Sequence, residues 1–272
     1  MAVKTISVLG CGWMGLPLAQ HLLRKGYKVK GSSTQFGKLK VLQQYGIEAY
    51  LINADPVIVK DKSVEDFFQA DVLFLNIPFK RSLQDPQVYK FQIESVIQCV
   101  AASPVKFVIY ASSTSVYPDA AGEISENDFF EPATQRAQVL SDIEQMLLAD
   151  ERFQATVVRF GGLYGAQRKI GQFLSGKNVT DPQAPVNLIH LDDCVGIISS
   201  VIEQNVTGEI FNAVSDAHPT KRELYTKAAL ALGLPAPHFS EDRKHTGKIV
   251  LNHKLKHQLH YSLKHPDPLR EN

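Results

Sequence analysis

Short apolar runs alternate along this chain with longer stretches whose apolar positions recur at helical spacing. The runs are Thr5 to Leu9, Tyr27 to Gly31, Glu48 to Ile52, Asp71 to Ile77, Val105 to Ala111 and Ala155 to Arg159. Between them Gln84 to Ala101 and Ala133 to Ala149 read as helices. Leu16, Ala19, Leu22 and Leu23 form the apolar face of another, which stops at Arg24, Lys25 and Gly26. Strands apolar on both faces and alternating with helices predict an α/β fold with a doubly wound parallel sheet. The rhythm breaks near Gly165, where Gly, Gln, Lys and Pro are frequent up to Pro185. It resumes with a strand from Asn187 to Leu191, a helix from Asp192 to about Glu203 and a strand around Ile210 to Asn212. A Thr220-Lys221-Arg222-Glu223 capping box then opens a helix to Leu232.

The first strand runs into Gly10-Cys11-Gly12-Trp13-Met14-Gly15 and directly into a helix. Gly10 allows the turn, Gly12 lets a pyrophosphate approach the backbone, and Gly15 lets the helix lie close to the sheet. Free amides and the positive end of the helix dipole then face the anion. This context makes the sheet a Rossmann fold with a dinucleotide site. The expected Rossmann domain is 1–165 plus about 187–215, with 166–186 and 216–272 as a smaller C-terminal substrate lobe. The second strand ends in Gly31-Ser32-Ser33-Thr34, without the acid that accepts from the ribose in an NAD site. Ser32, Ser33, Thr34 and Lys38 could donate to a 2′-phosphate, so NADP is the expected cofactor and NAD the alternative. Ligands in such folds sit at the carboxyl ends of the strands, which adds Ile77, Pro78 and Ser112 to the expected cofactor contacts.

Composition narrows the partners. The chain has 272 residues and a formal net charge of +1, which gives no reason to expect nucleic acid or an anionic membrane. A small-molecule substrate is expected. Cys11, Cys99 and Cys194 are far apart and without CxxC spacing, which suits a reducing cytoplasm. No apolar run approaches the length that spans a bilayer, and the N-terminus enters a strand without a signal-peptide core. His253, His257 and His260 could gather on one helical face. Lys254 and Lys256 between them repel a cation, so a solvated basic helix and no metal are expected. Asp192 and Asp193 read as first-turn acids of a helix, and His190 as a strand-end residue.

At the end of the fifth strand, Val108-Ile109-Tyr110-Ala111 meets Ser112-Ser113-Thr114-Ser115-Val116-Tyr117-Pro118. Here the chain begins to resemble the extended short-chain dehydrogenase/reductase family, in its nucleotide-sugar epimerase/dehydratase branch. The likeness continues through Gly122 to Glu126, Glu131-Pro132, Val158 to Gly165, Ile189 to Asp193 and Gly208 to Ala213, so it spans nearly the whole chain. Gly247 to Val250 with His265-Pro266-Asp267 further resembles the YeeZ-like group of that family.

The resemblance implies that Ser113 bonds the reacting hydroxyl or carbonyl and that a Tyr-x-x-x-Lys pair on the following helix supplies the acid/base. That pair is missing. Arg136 falls on the tyrosine position and Leu140 on the lysine position, and neither can exchange a proton near neutrality. Tyr117 and Tyr164 are substitute acids in principle, with Tyr117 taken beside Ser113 as the catalytic pair. Neither has a cation at helical spacing, which favours packed aromatics with satisfied hydroxyls. Arg136, Tyr164 and Arg168 are the expected substrate contacts, Arg168 for a phosphate or carboxylate. The family's dimers imply a homodimer.

Three function classes follow. One is an NAD(P)-dependent oxidoreductase or epimerase acting on a small polar, nucleotide-linked or phosphorylated substrate. The second is a dinucleotide-binding sensor that has lost the relay. The third and weakest is a β-hydroxyacid dehydrogenase, which Gly12 to Ala19 also resemble. Those enzymes continue into an all-helical second domain with a catalytic lysine, whereas this chain has a strand-containing tail.

Overall fold

The computed structural model describes residues 4–80, 82–119, 122–240 and 247–271. Its strands are β1 Thr5–Leu9, β2 Lys28–Ser33, β3 Glu48–Leu51, β4 Val72–Leu75, β5 Phe107–Ser113, β6 Gly122–Ile124 and β7 Gln154–Phe160. There follow β8 Gly162–Tyr164, β9 Asn178–Val179, β10 Leu188–His190, β11 Ile210–Ala213, β12 His238–Phe239 and β13 Lys248–Val250. The helices are α1 Gly15–Arg24, α2 Phe36–Gln44, α3 Lys62–Phe67, α4 Gln87–Ala101 and α5 Gln135–Leu148. The last three are α6 Leu191–Gln204, α7 Lys221–Ala231 and α8 His253–Gln258. Among the described residues no helix is long and apolar enough to cross a membrane.

The main sheet is parallel, with strands in the order β11-β7-β5-β4-β1-β2-β3. β1 pairs on one side with β2 and on the other with β4, both in parallel, so the strand order reverses there. That reversal is the topological switch point of a doubly wound fold, where helix α1 starts. The central strands are apolar on both faces because helices cover both: all of β4 is buried, and β7 is buried from Ala155 to Phe160. Helix α4 buries Tyr89, Ile93, Val96, Ile97 and Val100, spaced along one face, each contributing about 1.5–3 kcal/mol relative to exposure. Helix α5 starts where the Thr134 hydroxyl accepts from the Ala137 amide at 3.1 Å.

All seven strands of this sheet coincide with apolar runs of the sequence, to within two residues at each end. Helices α2 and α3 went unpredicted. Only Leu42 of α2 is buried, and α3 is a short turn capped by Asp61, so neither carries much periodic signal. The Asn187 to Leu191 run forms β10 but stays outside the main sheet and pairs with β8.

The chain divides into two compact units. One comprises 1–112, 134–158 and 198–210, and the other 113–133, 159–197 and 211–272. The second unit is thus larger than the expected 166–186 plus 216–272. It takes in the stretches after β5 and β7 and the start of α6. Residues 241–246 of the expected lobe lie outside the described ones.

The second unit has its own core of Tyr164, Ile170, Val186, Leu188 and Leu224, joined by Phe173, Tyr225, Ala228 and Leu269. Gly171 permits a close approach to α7: a Cβ there would stand 2.2 Å from the Ala228 carbonyl oxygen. The expected capping box of α7 is present, with Thr220 and Glu223 bonding each other's backbone amides. Asp193 is fully buried and anchors the C-terminal segment. It accepts from the Tyr261 hydroxyl at 3.1 Å and from the amides of Lys264 and His265 at 2.7 and 3.0 Å. Asp193 does stand in the first turn of α6, as expected, and its carboxylate also serves distant donors.

Asp193→Ala strands these donors, and buried groups without partners cost about 1–3 kcal/mol each. We expect the melting temperature to fall by roughly 5–15 °C in a calorimetric scan. A shift of under about 1 °C would show that the segment is held by other contacts.

Candidate functional site

The glycine turn of the first unit is built by backbone crossing backbone. Gly10 sits at φ 105°, where a Cβ would lie 2.5 Å from the Asn76 carbonyl oxygen. A Cβ on Gly15 would lie 2.2 Å from the Gly10 carbonyl oxygen. The Asn76 side chain donates to that same carbonyl at 2.9 Å, and the Gly10 amide donates to the Ser32 hydroxyl at 2.9 Å. Gly12 is different. A Cβ built on it meets nothing within 4 Å. Two of the three glycines are therefore required by the fold itself, and the third keeps clear the space in front of α1.

Helix α1 has Met14 as its N-cap, with no side-chain cap and no acid in its first turn. Its positive end is thus left for an anion. Cys11 is buried and its thiol is pushed up to about 12 by that burial, consistent with a small packing residue. Met14 is buried and Trp13 half-buried beside the turn.

After β2, Ser32 is buried and its hydroxyl accepts from the Gly10 amide, so it braces the turn. Ser33 is half-buried with its hydroxyl accepting from the Gln35 amide at 3.1 Å, while Thr34 and Lys38 are exposed. After β4, the Ile77 carbonyl accepts from the Tyr89 hydroxyl at 2.9 Å and Pro78 is exposed. Phe79 stacks on Tyr89 with centroids 4.3 Å apart, and the Arg136 guanidinium lies 3.6 Å over the Phe79 ring. Arg136 also donates to the carbonyls of Phe79 and Lys80 at 3.0 and 3.1 Å. It clamps the loop after β4, a role that a substrate contact would not need. Leu140 is 4% exposed, inside the apolar face of α5. Ser112 is buried and donates to Glu144 at 2.5 Å.

In the second unit, Ser113 is half-buried and its hydroxyl accepts from the Ser115 amide at 3.2 Å. Tyr117 is 2% exposed. Its hydroxyl donates to Asn212 at 2.9 Å and accepts from Arg159 at 2.7 Å, and its ring meets Phe130 edge-on. Burial raises its pKa, with Arg159 acting against that. The tertiary structure supplies a cation that helical spacing could not, yet encloses the hydroxyl among protein partners. Tyr164 is likewise buried, edge-on to His190 at 5.0 Å, its hydroxyl without a well-formed hydrogen bond. Burial and then Glu271 push its pKa up. Arg168 is exposed at a tight turn closed by backbone bonds to Gly165.

The turn, Ser33, Thr34 and the loop after β4 thus fall within the first unit, and Ser113, Tyr117, Tyr164 and Arg168 within the second. Sequence reading missed Asn76 and Glu144. Asn76 was legible as a polar residue closing an apolar run, whereas Glu144 carried no signal of burial. It also missed a grouping of His190, Asp192 and His265, whose ligand atoms lie within 4.8 Å of one another. His253, His257 and His260 are exposed, as the basic-helix reading implies.

Comparison with known proteins places the fold and then the family. Over 98% of this chain and 97% of the other, the structure matches UDP-glucuronic acid 4-epimerase from Bacillus cereus in complex with NAD, at TM-score 0.78 and 19% identity. A functionally unknown conserved protein from Silicibacter pomeroyi matches over 98% and 96%, at TM-score 0.78 and 22% identity. The fold is therefore that of the Rossmann-type epimerases. Residues 5–124 match the family model for the NAD binding domain of 6-phosphogluconate dehydrogenase. Protein YeeZ of Escherichia coli strain K12 is 32% identical over 269 residues, 98% of each chain. The chain belongs to the YeeZ family.

The glycines separate in stability measurements. Gly15→Ala forces overpacking against backbone and should cost at least about 1–3 kcal/mol in urea denaturation. Gly12→Ala should leave stability within about 0.5 kcal/mol of wild type. Equal losses in the two variants would refute the division of roles.

Proposed function

We propose that the protein binds a nicotinamide dinucleotide through the Gly10 to Gly15 turn, with the pyrophosphate over Gly12 at the start of α1. The observation that carries this reading is the empty volume at Gly12 beside two glycines that the fold fills. When bound, the nicotinamide gives or takes a hydride. The chain's own residues supply the cradle and the clamped loop after β4. NADP is favoured over NAD because Ser33, Thr34 and Lys38 stand where an acid would accept from the ribose, Ser32 being engaged by the turn. The substrate is a small polar molecule, with Ser113 and the exposed Arg168 as its contacts. We place the protein in the cytoplasm as a homodimer without nucleic acid or membrane partners.

The reaction class is oxidoreductase or epimerase, without the Tyr-x-x-x-Lys relay. A second reading, a non-catalytic dinucleotide-binding sensor, is favoured by one observation. Arg136 is committed to the Phe79 loop and Leu140 to the core, so both relay positions are structural.

Ligand at about 100 times its Kd stabilises the native state by about 2.7 kcal/mol. NADP(H) should therefore raise the melting temperature by about 5–10 °C. Gly12→Val should abolish the shift without loss of folding. The absence of any shift with NAD(H) and NADP(H) at millimolar concentration would sink the proposal. Ser33→Asp should turn the preference toward NAD by repelling the 2′-phosphate, read by titration calorimetry. NAD binding equal to or tighter than NADP in wild type would overturn the preference.

Nucleotide hexoses should turn over negligibly, because general acid/base positioning is worth about 10²–10⁴-fold. Ordinary turnover that Ser113→Ala abolishes would favour the enzyme and remove the sensor. Turnover surviving Ser113→Ala and Tyr117→Phe would refute this placement of the chemistry.

A further inference from the structure

Within the second unit, His190 closes β10, Asp192 stands exposed in the first turn of α6, and His265 and Glu271 lie on the C-terminal segment. Asp192 Oδ2 is 3.5 Å from His265 Nε2 and 3.8 Å from His190 Nδ1. The imidazole rings of His190 and His265 lie with centroids 3.6 Å apart, tilted by 36°. Nitrogen and oxygen ligands about 2.0–2.2 Å from a tetrahedral ion are separated from each other by about 3.3 Å, so the two carboxylate–imidazole distances need shifts of a few tenths of an ångström, and the two rings part as the ion enters.

His265 Nδ1 is 2.8 Å from Glu271 Oε1. With Nδ1–H donating there, Nε2 of His265 faces the Asp192 carboxylate, so a divalent ion entering between them competes with the proton that otherwise bridges the pair. A metal-bound histidine characteristically gives its other N–H to a carboxylate in this way. The buried Asp193, bonded to the His265 amide, adds negative charge. Loading exchanges one hydrogen bond, from the Asp192 amide to His190 Nδ1 at 3.1 Å, for a bond to the ion.

We propose that His190, Asp192 and His265 form a site for a divalent transition ion of the zinc or cobalt type, with Glu271 orienting His265 and water completing the coordination. Two imidazoles with one carboxylate suit these ions better than magnesium or calcium, which take oxygen ligands. The ion ties the C-terminal segment to the β10–α6 corner, independently of any dinucleotide.

The test is titration of tag-free, dialysed protein with Co(II), read by its visible absorption, and with Zn(II), read by competition and by melting temperature. One equivalent of Co(II) should bind and be displaced by Zn(II). Asp192→Asn, a nearly isosteric change at an exposed position, should weaken binding at least tenfold. Glu271→Gln should weaken it by about 10–100-fold. His257→Ala should leave it unchanged, since the exposed histidines of α8 are the competing source. No stoichiometric Co(II) spectrum, binding that survives Asp192→Asn together with His265→Gln, or binding lost in His257→Ala would each overturn the site.

Discussion

The first unit depends on a close approach that only hydrogen permits, where the backbone at Gly10, Gly15 and Asn76 crosses with no room for a Cβ. This contact presses the start of α1 onto the switch point of the sheet, where β1 lies between β2 and β4. Helix position and turn conformation both follow from it. The polar groups nearby reinforce the same geometry. Asn76 holds the Gly10 carbonyl and Ser32 holds its amide, so each backbone group turned out of the ladder is paired.

The second unit is organised around buried polar groups. Asn212 accepts from Tyr117, donates to the Leu251 carbonyl, and its amide donates to Glu126. Asn252 donates to the Val214 carbonyl and to Asp216. Asp193 gathers the residues from Tyr261 to His265. Its two-stranded sheets are short, so these bonds carry much of the connection between distant stretches of sequence. Their low-dielectric setting makes each one expensive to leave unmade.

The two positions that the resemblance assigns to a proton relay hold residues with structural roles. Arg136 stays charged and spreads its guanidinium over Phe79 while holding two carbonyls, so one residue fixes the loop after β4. A lysine at 140 would have to bury its ammonium where Leu140 now packs. The tyrosines nearest the expected chemistry are enclosed. The Tyr117 hydroxyl is held by Asn212 and Arg159, and the Tyr164 hydroxyl is buried. Ser113 alone of the expected catalytic pair keeps a hydroxyl that is neither deeply buried nor bonded as a donor among the described residues.

The sequence by itself determined the seven strands of the sheet, the turn and the capped helix α7. Each of these is a local or periodic property: apolar runs for strands buried on both faces, glycines before an apolar helix, and a threonine three residues before a glutamate. It also put an arginine and a leucine, Arg136 and Leu140, at the two positions where the resemblance implies a proton relay. Helix α2 escaped notice because little of it is buried. Tertiary structure alone decided that Ser32 braces the turn, that Arg136 clamps a loop, and that Glu144 is buried against Ser112. It alone joined His190 to His265 across the length of a helix and a tail. The physical reason is common to all of them: hydrogen-bond partners and burial are set by groups far apart in the chain. A residue's type states what it can donate or accept, and only the fold supplies the other half of the bond.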